Sequence, residues 1–465
     1  MKCIRLVVLS RLLSFLAVFG GFWLSLAGCG GPVVSPRAEP PPSPASHTEA
    51  AATVAIGATA AASESVMTGA EPTSQPALES QPPAARGITL TVWTTEVFSP
   101  LQDDFASQLL KGQVADFEAQ EPNISVQFTL KKPYGQGGMY DFLQTTHAVV
   151  PERLPDVAIV DVADLSSLVS QGMVRPLDNL MAEEIRDDLF PFARQSCTVE
   201  GSLFGLPFES GLVHVAFNSE LIDLPPLTWS QVLSSTLSYA FALNDENGER
   251  VSPSFWLQYL ALNDAKEGKH QGFELERGLL VEVFDFYYRG GEAGIIPKSV
   301  LSYQTEAEVW AAYLSGQISM VDVSSSRYLS NRSSLRGTGF AAVPTRDGRV
   351  FSLAKGWALV ILTEKPDRQE AAVRFIEWLL RPEHNGAWAR AANRLPAARQ
   401  SLAAWGQSDP YISFCASLLE QAAPYPAGPK FDLMSRRLQR SLRDVLAGAA
   451  SPAEAADQVI SIVEK

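Results

Sequence analysis

The chain has 465 residues and a formal net charge of -14 at pH 7, with 37 Lys and Arg against 51 Asp and Glu. Nucleic-acid binding needs clustered cations that contact phosphates, so this acidic composition argues against a nucleic-acid partner. A chain of this length is too long for one hydrophobic core and suits a protein built of two lobes.

The N-terminal residues have the layout of a secretory signal. A basic start is followed by an apolar run over residues 12–27, which ends in Leu26-Ala27-Gly28-Cys29. The run is shorter than the ~20 residues that a membrane-spanning helix needs, and its end resembles the lipobox of bacterial lipoproteins. We therefore predict a signal peptide over residues 1–28 and lipidation of Cys29, with the mature protein anchored to the outer face of the cell membrane.

Residues 29–87 are predicted to form a disordered linker. The stretch is rich in Pro, Ala and Ser, and residues 30–86 contain no Phe, Trp or Tyr. Without large apolar side chains such a segment cannot bury enough surface to offset its chain entropy.

The first part of the remaining chain alternates strands with helices. Predicted strands cover residues 88–93, 124–130 and 156–160, and predicted helices run to residue 121 and over residues 140–148. This alternation favours an α/β fold with a mostly parallel sheet covered on both faces. Ligands of such open sheets bind beyond the carboxyl ends of the strands, which places Trp93, Glu96 and Asp161 beside a predicted cleft.

The second part contains more short strands and several helices. Residues 204–209 and 212–217 read as two strands, and residues 244–276 as a polar, irregular segment around Trp256. Further strands are predicted over residues 318–323, 339–344 and 356–362, and helices over residues 276–288, 367–380, 432–447 and 452–463.

Cysteine and histidine usage predicts no metal site and no cofactor. Cys197 and Cys415 remain once the signal and the lipidated Cys29 are set aside. An exported compartment permits a disulfide between them, but for two distant cysteines buried thiols are the default expectation. The five histidines have no ligand-like spacing.

A series of short motifs stands in the order found in one family. Together they resemble the extracellular solute-binding proteins of ABC importers, family 1, the sugar-binding type. The motifs are Leu90-Thr91-Val92-Trp93, Leu154-Pro155-Asp156-Val157, Phe204-Gly205-Leu206-Pro207, Val215-Ala216-Phe217-Asn218, Leu227-Thr228-Trp229, Leu314-Ser315-Gly316, Gly356-Trp357-Ala358-Leu359 and Asn393-Arg394-Leu395-Pro396.

The resemblance implies a type II periplasmic-binding-protein-like fold, in which two α/β lobes are joined by a hinge of crossing strands. Lobe one would comprise residues 88–208 and 340–393, and lobe two residues 209–339 and 394–465. The ligand would lie between the lobes, and closure would be a hinge motion.

A polar solute leaves water only for a cleft that replaces its hydrogen bonds, and sugars also use flat aromatic faces. The candidate ligand-binding residues are Trp93, Glu96, Asp161, Glu209, Trp256, Ser324, Arg327 and Trp357. The loop at residues 324–326 lacks the Trp common in sugar-binding relatives, and Lys355-Gly356 replaces a Gly-Gly pair. A smaller or ionic ligand, paired by Arg327 or Lys355, therefore stays open.

The functional hypothesis is a monomeric receptor that binds a small polar solute, a sugar or oligosaccharide, and delivers it to an ABC transporter permease. We expect no catalytic activity, because the sequence lacks the common hydrolase and nucleotide-binding motifs. Two alternatives remain open at this point: a lipid-anchored glycoside hydrolase with two cleft carboxylates, and a sensor that serves a membrane signalling partner.

Overall fold

The structure is a computed structural model that describes residues 87–245, 248, 250–267, 275–406 and 408–463. The predicted signal peptide, the lipidation site Cys29 and the predicted linker up to residue 86 lie outside the described residues.

The described chain alternates strands with helices, as the sequence predicts. The strands are β1 (Ile88–Thr94), β2 (Ile124–Leu130), β3 (Val157–Asp161), β4 (Thr198–Val199), β5 (Ser202–Leu203), β6 (Leu206–Asn218), β7 (Tyr239–Ala240), β8 (Met320–Ser324), β9 (Thr338–Ala341), β10 (Leu353–Ile361) and β11 (Ala423–Pro424). The helices are α1 (Phe105–Gln120), α2 (Met139–Val149), α3 (Leu165–Ser170), α4 (Glu183–Asp188), α5 (Pro191–Ser196), α6 (Trp229–Ser234), α7 (Pro253–Glu267), α8 (Arg277–Glu292), α9 (Glu306–Leu314), α10 (Ser325–Asn331), α11 (Pro366–Leu380), α12 (Pro382–Ala391), α13 (Arg399–Ala403), α14 (Pro410–Gln421), α15 (Pro429–Leu446) and α16 (Pro452–Val463).

The main sheet is mixed, with the strand order β2-β1-β3-β10-β6-β8-β7, while β11 pairs with β10 and β9 with β6. The first three strands are parallel to one another, as expected. β10 runs antiparallel to both β3 and β6 and so joins this part of the sheet to the part around β8. β3 is buried along nearly its whole length, which explains its continuous apolar sequence.

Strand β6 is longer than the sequence predicts. Its first half pairs with β10, and from Val213 onward it pairs with β8 and β9. The sequence suggested two strands, at residues 204–209 and 212–217, which left out Ser210 and Gly211. Both residues stay extended and pair with β10, opposite Gly356 and Lys355, so the ladder continues through them.

The segment around Trp256 is helical, and the expectation of an irregular loop is wrong. Helix α7 begins at Pro253, a residue that suits the first helical turn because its missing N–H would have no intrahelical partner. The indole of Trp256 is 0 % exposed, donates a hydrogen bond to Ser435 Oγ (3.1 Å) and lies 4.6 Å from the ring of Phe431. Trp256 is therefore a core residue.

The two remaining cysteines are free thiols. Cys197 and Cys415 are both buried, and burial raises the pKa of each to about 12. The structure thus favours buried thiols over a disulfide. Within the described ranges, no helix combines the length and the apolar character needed to cross a bilayer.

Candidate functional site

A cavity of about 370 Å³ lies where the middle of β6 meets the ends of β3 and β8 and the start of β10. This volume is within the usual range of small-molecule sites. The starts of α7, α9 and α10 complete its wall through residues 252–254, 305–307 and 326–327. The cavity is named here the cleft.

Five of the eight ligand-binding candidates line the cleft, namely Asp161, Glu209, Ser324, Arg327 and Trp357. Trp93, Glu96 and Trp256 are not among its lining residues. Trp256 lies in the core described above, and the exposed Glu96 begins a short 3-10 helix after β1.

Trp93 belongs to a separate cluster with Lys131 and Phe142. The ammonium of Lys131 lies 4.2 Å from the centre of the indole and 4.0 Å from that of the Phe142 ring. This is the geometry of a cation–π contact, and partial burial lowers the pKa of Lys131. One face of the Trp93 ring is thus covered by a side chain of the protein itself.

Asp161 has two roles at the carboxyl end of β3. Its Oδ1 accepts a hydrogen bond from the backbone N–H of Ala163 (2.9 Å), and its Oδ2 accepts one from the hydroxyl of Tyr134 (2.9 Å). The residue therefore caps the short helix that follows and also faces the cleft. Trp357 pairs with it across the sheet, and its ring lies 5.5 Å from that of Tyr134.

Glu209 lies at the centre of β6, where the sheet passes from β10 to β8. It is 2 % exposed, and its Oε2 lies 3.7 Å from the guanidinium of Arg394, which also lines the cleft. The neighbouring position of β10, Gly356, has to be a glycine, because a Cβ there would lie 2.4 Å from the carbonyl oxygen of Glu209. The backbones of the two strands therefore approach closely at Glu209.

Arg327 and Ser324 share a partner that the sequence interpretation missed. The hydroxyl of Ser324 caps α10 by accepting from the backbone N–H of Arg327 (3.3 Å), and it donates to Glu306 Oε2 (3.1 Å). The same carboxylate oxygen lies 3.3 Å from Arg327 Nε. In the sequence, Glu306 was visible only as the first residue of α9, between the capping-box residues Thr305 and Glu308.

Asp322 is a second lining residue that was missed. It is 4 % exposed and accepts a hydrogen bond from the hydroxyl of Tyr239 (2.8 Å). Burial raises the pKa of Asp322 to about 7, although hydrogen bonds from Ser254 and Tyr239 oppose the shift. Its signal in the sequence is a single acid inside the apolar strand β8.

The donor set of the cleft does not indicate a metal. Across the described part of the chain, no group of three or more His, Cys, Asp or Glu residues is arranged to hold a metal ion. The chemistry offered by the cleft is hydrogen bonding and charge pairing beside two aromatic residues, Trp357 and Tyr425.

Comparison with known families identifies the kind of protein. The family model described as bacterial extracellular solute-binding protein matches residues 112–413. The chain is a bacterial extracellular solute-binding protein. The resemblance read from the short motifs is thereby confirmed, as is the expectation that the chain is not an enzyme, since this is a family of binding proteins. The family also implies a location outside the cytoplasm.

Individual relatives of this solute-binding protein are distant in sequence. A putative binding protein of Brucella abortus is 20% identical over 360 residues, which cover 72% of this chain and 84% of the relative. The maltotriose-binding protein of Pyrococcus abyssi is 21% identical over 153 residues, covering 33% of this chain and 30% of the relative.

Solved structures confirm the predicted fold class. The cyclic alpha-maltosyl-1,6-maltose binding protein of Arthrobacter globiformis matches with a TM-score of 0.65 at 17% identity, covering 81% of this chain and 98% of that protein. The sugar-binding protein MalE of Xanthomonas citri matches with a TM-score of 0.65 at 18% identity, covering 81% and 96%. The solute-binding protein therefore has the α/β fold of two-lobe solute receptors.

Proposed function

We propose that the protein is a lipid-anchored receptor that binds a small carbohydrate in the cleft and delivers it to an ABC transporter permease. The observation that carries the proposal is the cleft itself. It encloses about 370 Å³ and joins hydroxyl, carboxylate and guanidinium groups to the ring of Trp357, which is 8 % exposed. A polar solute that enters it can exchange its hydrogen bonds with water for hydrogen bonds with the protein.

A division into two lobes gives the cleft its function. In this proposal residues 88–208 and 340–393 form one lobe, and residues 209–339 and 394–465 form the other. Strand β6 passes between them at Glu209, and the chain passes again at Arg394, so the ion pair of these residues lies at the hinge. A ligand that contacts both lobes stabilises the closed arrangement because it binds that arrangement more tightly.

The carbohydrate class is supported by the names of similar proteins. Matched proteins are described as binding maltotriose and cyclic alpha-maltosyl-1,6-maltose, and a structure from Bdellovibrio bacteriovorus holds maltotriose. The cleft of this chain offers carboxylates and serine hydroxyls of the kind that hydrogen-bond sugar hydroxyls.

The anchor and the permease complete the proposal. Lipidated Cys29 would hold the protein at the membrane, and a flexible linker of the predicted length spans on the order of 40 Å. That reach lets the receptor collect solute near the membrane and still dock on a permease. Metabolic labelling with a radioactive fatty acid tests the anchor, and Cys29→Ala should abolish the label.

A thermal-shift screen over mono-, di- and trisaccharides and polyols tests the ligand class, since a ligand that binds the folded state raises its stability. Each hit should also reduce the radius of gyration in small-angle X-ray scattering. Glu209→Gln should weaken binding of the hit. A matched control is Glu282→Gln, an ion-paired carboxylate in a separate groove beside α8. The absence of stabilisation by every sugar and polyol at millimolar concentration would refute the proposal.

A further inference from the structure

The cleft carries an excess of negative charge. Among the described residues that line it, carboxyl groups outnumber cations by two, and one of these carboxyl groups, Asp245, pairs with a cation outside the lining, Arg250 (3.5 Å). The carboxyl groups belong to Asp161, Glu209, Asp245, Glu306 and Asp322, and the cations are Arg327, Lys355 and Arg394.

Two of the three cations already serve carboxylates of the same wall. Arg327 Nε lies 3.3 Å from Glu306, and the guanidinium of Arg394 lies 3.7 Å from Glu209. These pairs are fixed by the capping of α10 and by the crossing of β6, so neither arginine presents an uncompensated positive charge to the cavity. An anionic ligand paired by Arg327, which the sequence left open, would have to displace Glu306.

Asp322 is a deeply buried lining carboxyl whose hydrogen-bond partners are neutral. Within the described residues its partners are the hydroxyls of Tyr239 and Ser254, and no cation lies within ion-pair distance. Its Oδ2 has no hydrogen bond that meets standard geometry, and neither does the buried hydroxyl of Ser252, another lining residue. A buried carboxyl of this kind is stabilised in its charged form by a cation in the adjoining space.

We propose that the cleft takes a small polar solute that carries a positively charged amino group, attracted by Asp322 and the excess of lining carboxylates. This inference rests on the proposed function and adds the charge of the ligand. The attraction acts over ~4–6 Å, so the amino group need only enter the cavity beside Asp322. The remaining hydroxyls of the solute then have Ser252, Ser324 and the other polar lining groups as partners.

Isothermal titration calorimetry on the full mature chain at pH 7 and low salt tests the proposal, since salt screens exposed charges. The probes are glucosamine, galactosamine and mannosamine, together with the neutral sugar and the uronic acid of each ring. We expect at least one amino sugar to bind about tenfold more tightly than its neutral counterpart, and its uronic acid to bind more weakly than either.

Asp322→Asn separates charge from shape, because the amide oxygen still accepts from Tyr239. It should weaken amino-sugar binding by about tenfold and change neutral-sugar binding by less than about twofold. Unchanged circular dichroism and retained neutral-sugar binding show that the variant is folded. Glu282→Gln is the control for removal of a carboxylate elsewhere.

Two results overturn the inference and leave the receptor function standing. In the first, neutral sugars bind as tightly as amino sugars and Asp322→Asn has no effect on binding. In the second, maltose or maltotriose binds and none of the single-ring probes binds. Failure of every sugar and polyol refutes the receptor proposal itself, so the two failures can be distinguished.

Discussion

Replacing Asp322 by Asn should make the protein more stable in a way that depends on pH. Burial raises the pKa of this carboxyl from 3.8 to about 7 in the folded state. Between these two values the folded protein holds a proton that the unfolded chain releases. Asp322 therefore lowers the free energy of unfolding progressively as the pH rises from about 4 to 7.

The size of this effect follows from the shift. Each pH unit in that window changes the free energy of unfolding by about 1.4 kcal/mol. Raising the pH from 5 to 8 should therefore destabilise the wild type by about 3 kcal/mol more than Asp322→Asn. The nearby phenols of Tyr239 and Tyr287 do not contribute, because burial raises the pKa of both well above 10 and keeps them neutral.

Urea denaturation at pH 5, 6, 7 and 8, followed by circular dichroism, measures the difference directly. Other titrating groups are present in both proteins and cancel in the comparison. The stabilities of the two proteins should differ most at pH 8 and converge toward pH 5. Two parallel curves would show that Asp322 keeps an ordinary pKa, which would refute the assignment of a buried, cation-free carboxyl.

Two further predictions concern packing and thiol reactivity. Gly356→Ala should lower the free energy of unfolding by about 1–3 kcal/mol, because its Cβ meets the carbonyl oxygen of Glu209. Gly112→Ala in α1 is the control, because its Cβ meets nothing within 4 Å. In the same urea assay it should raise the free energy of unfolding by up to about 1 kcal/mol. Neither Cys197 nor Cys415 should react with iodoacetamide in the native protein, and both should react in urea, as peptide mass spectrometry can show; native labelling of either residue would contradict its burial.

The regular part of the fold could be predicted from the sequence because local patterns agree with tertiary structure there. β2 matches the predicted strand at residues 124–130, and α8 and α11 match predicted amphipathic helices. The family motifs also led to the correct fold class. Helix α7 was missed because its buried residues run around the whole helix, including Gln258, so the one-sided pattern of a surface helix is absent.

The site was predictable only in part. Asp161 directly follows a predicted strand and Glu209 ends another, and such positions are visible in a sequence. Glu306 and Asp322 reach the cleft through the packing of α9 and β8, and no local pattern reports that packing. Trp93 lies outside the cleft, and Lys131, the residue directly after β2, contacts its ring.

The continuity of β6 has a consequence for any attempt to dissect the molecule. Residues 206–212 pair with β10, and residues 213–218 pair with β8 and β9. A fragment that ended within this strand would leave a row of unpaired backbone groups, and open strands of this kind recruit other chains. Pieces of this protein that are truncated within β6 should therefore aggregate. Attempts to express parts of the chain separately should cut it at other positions.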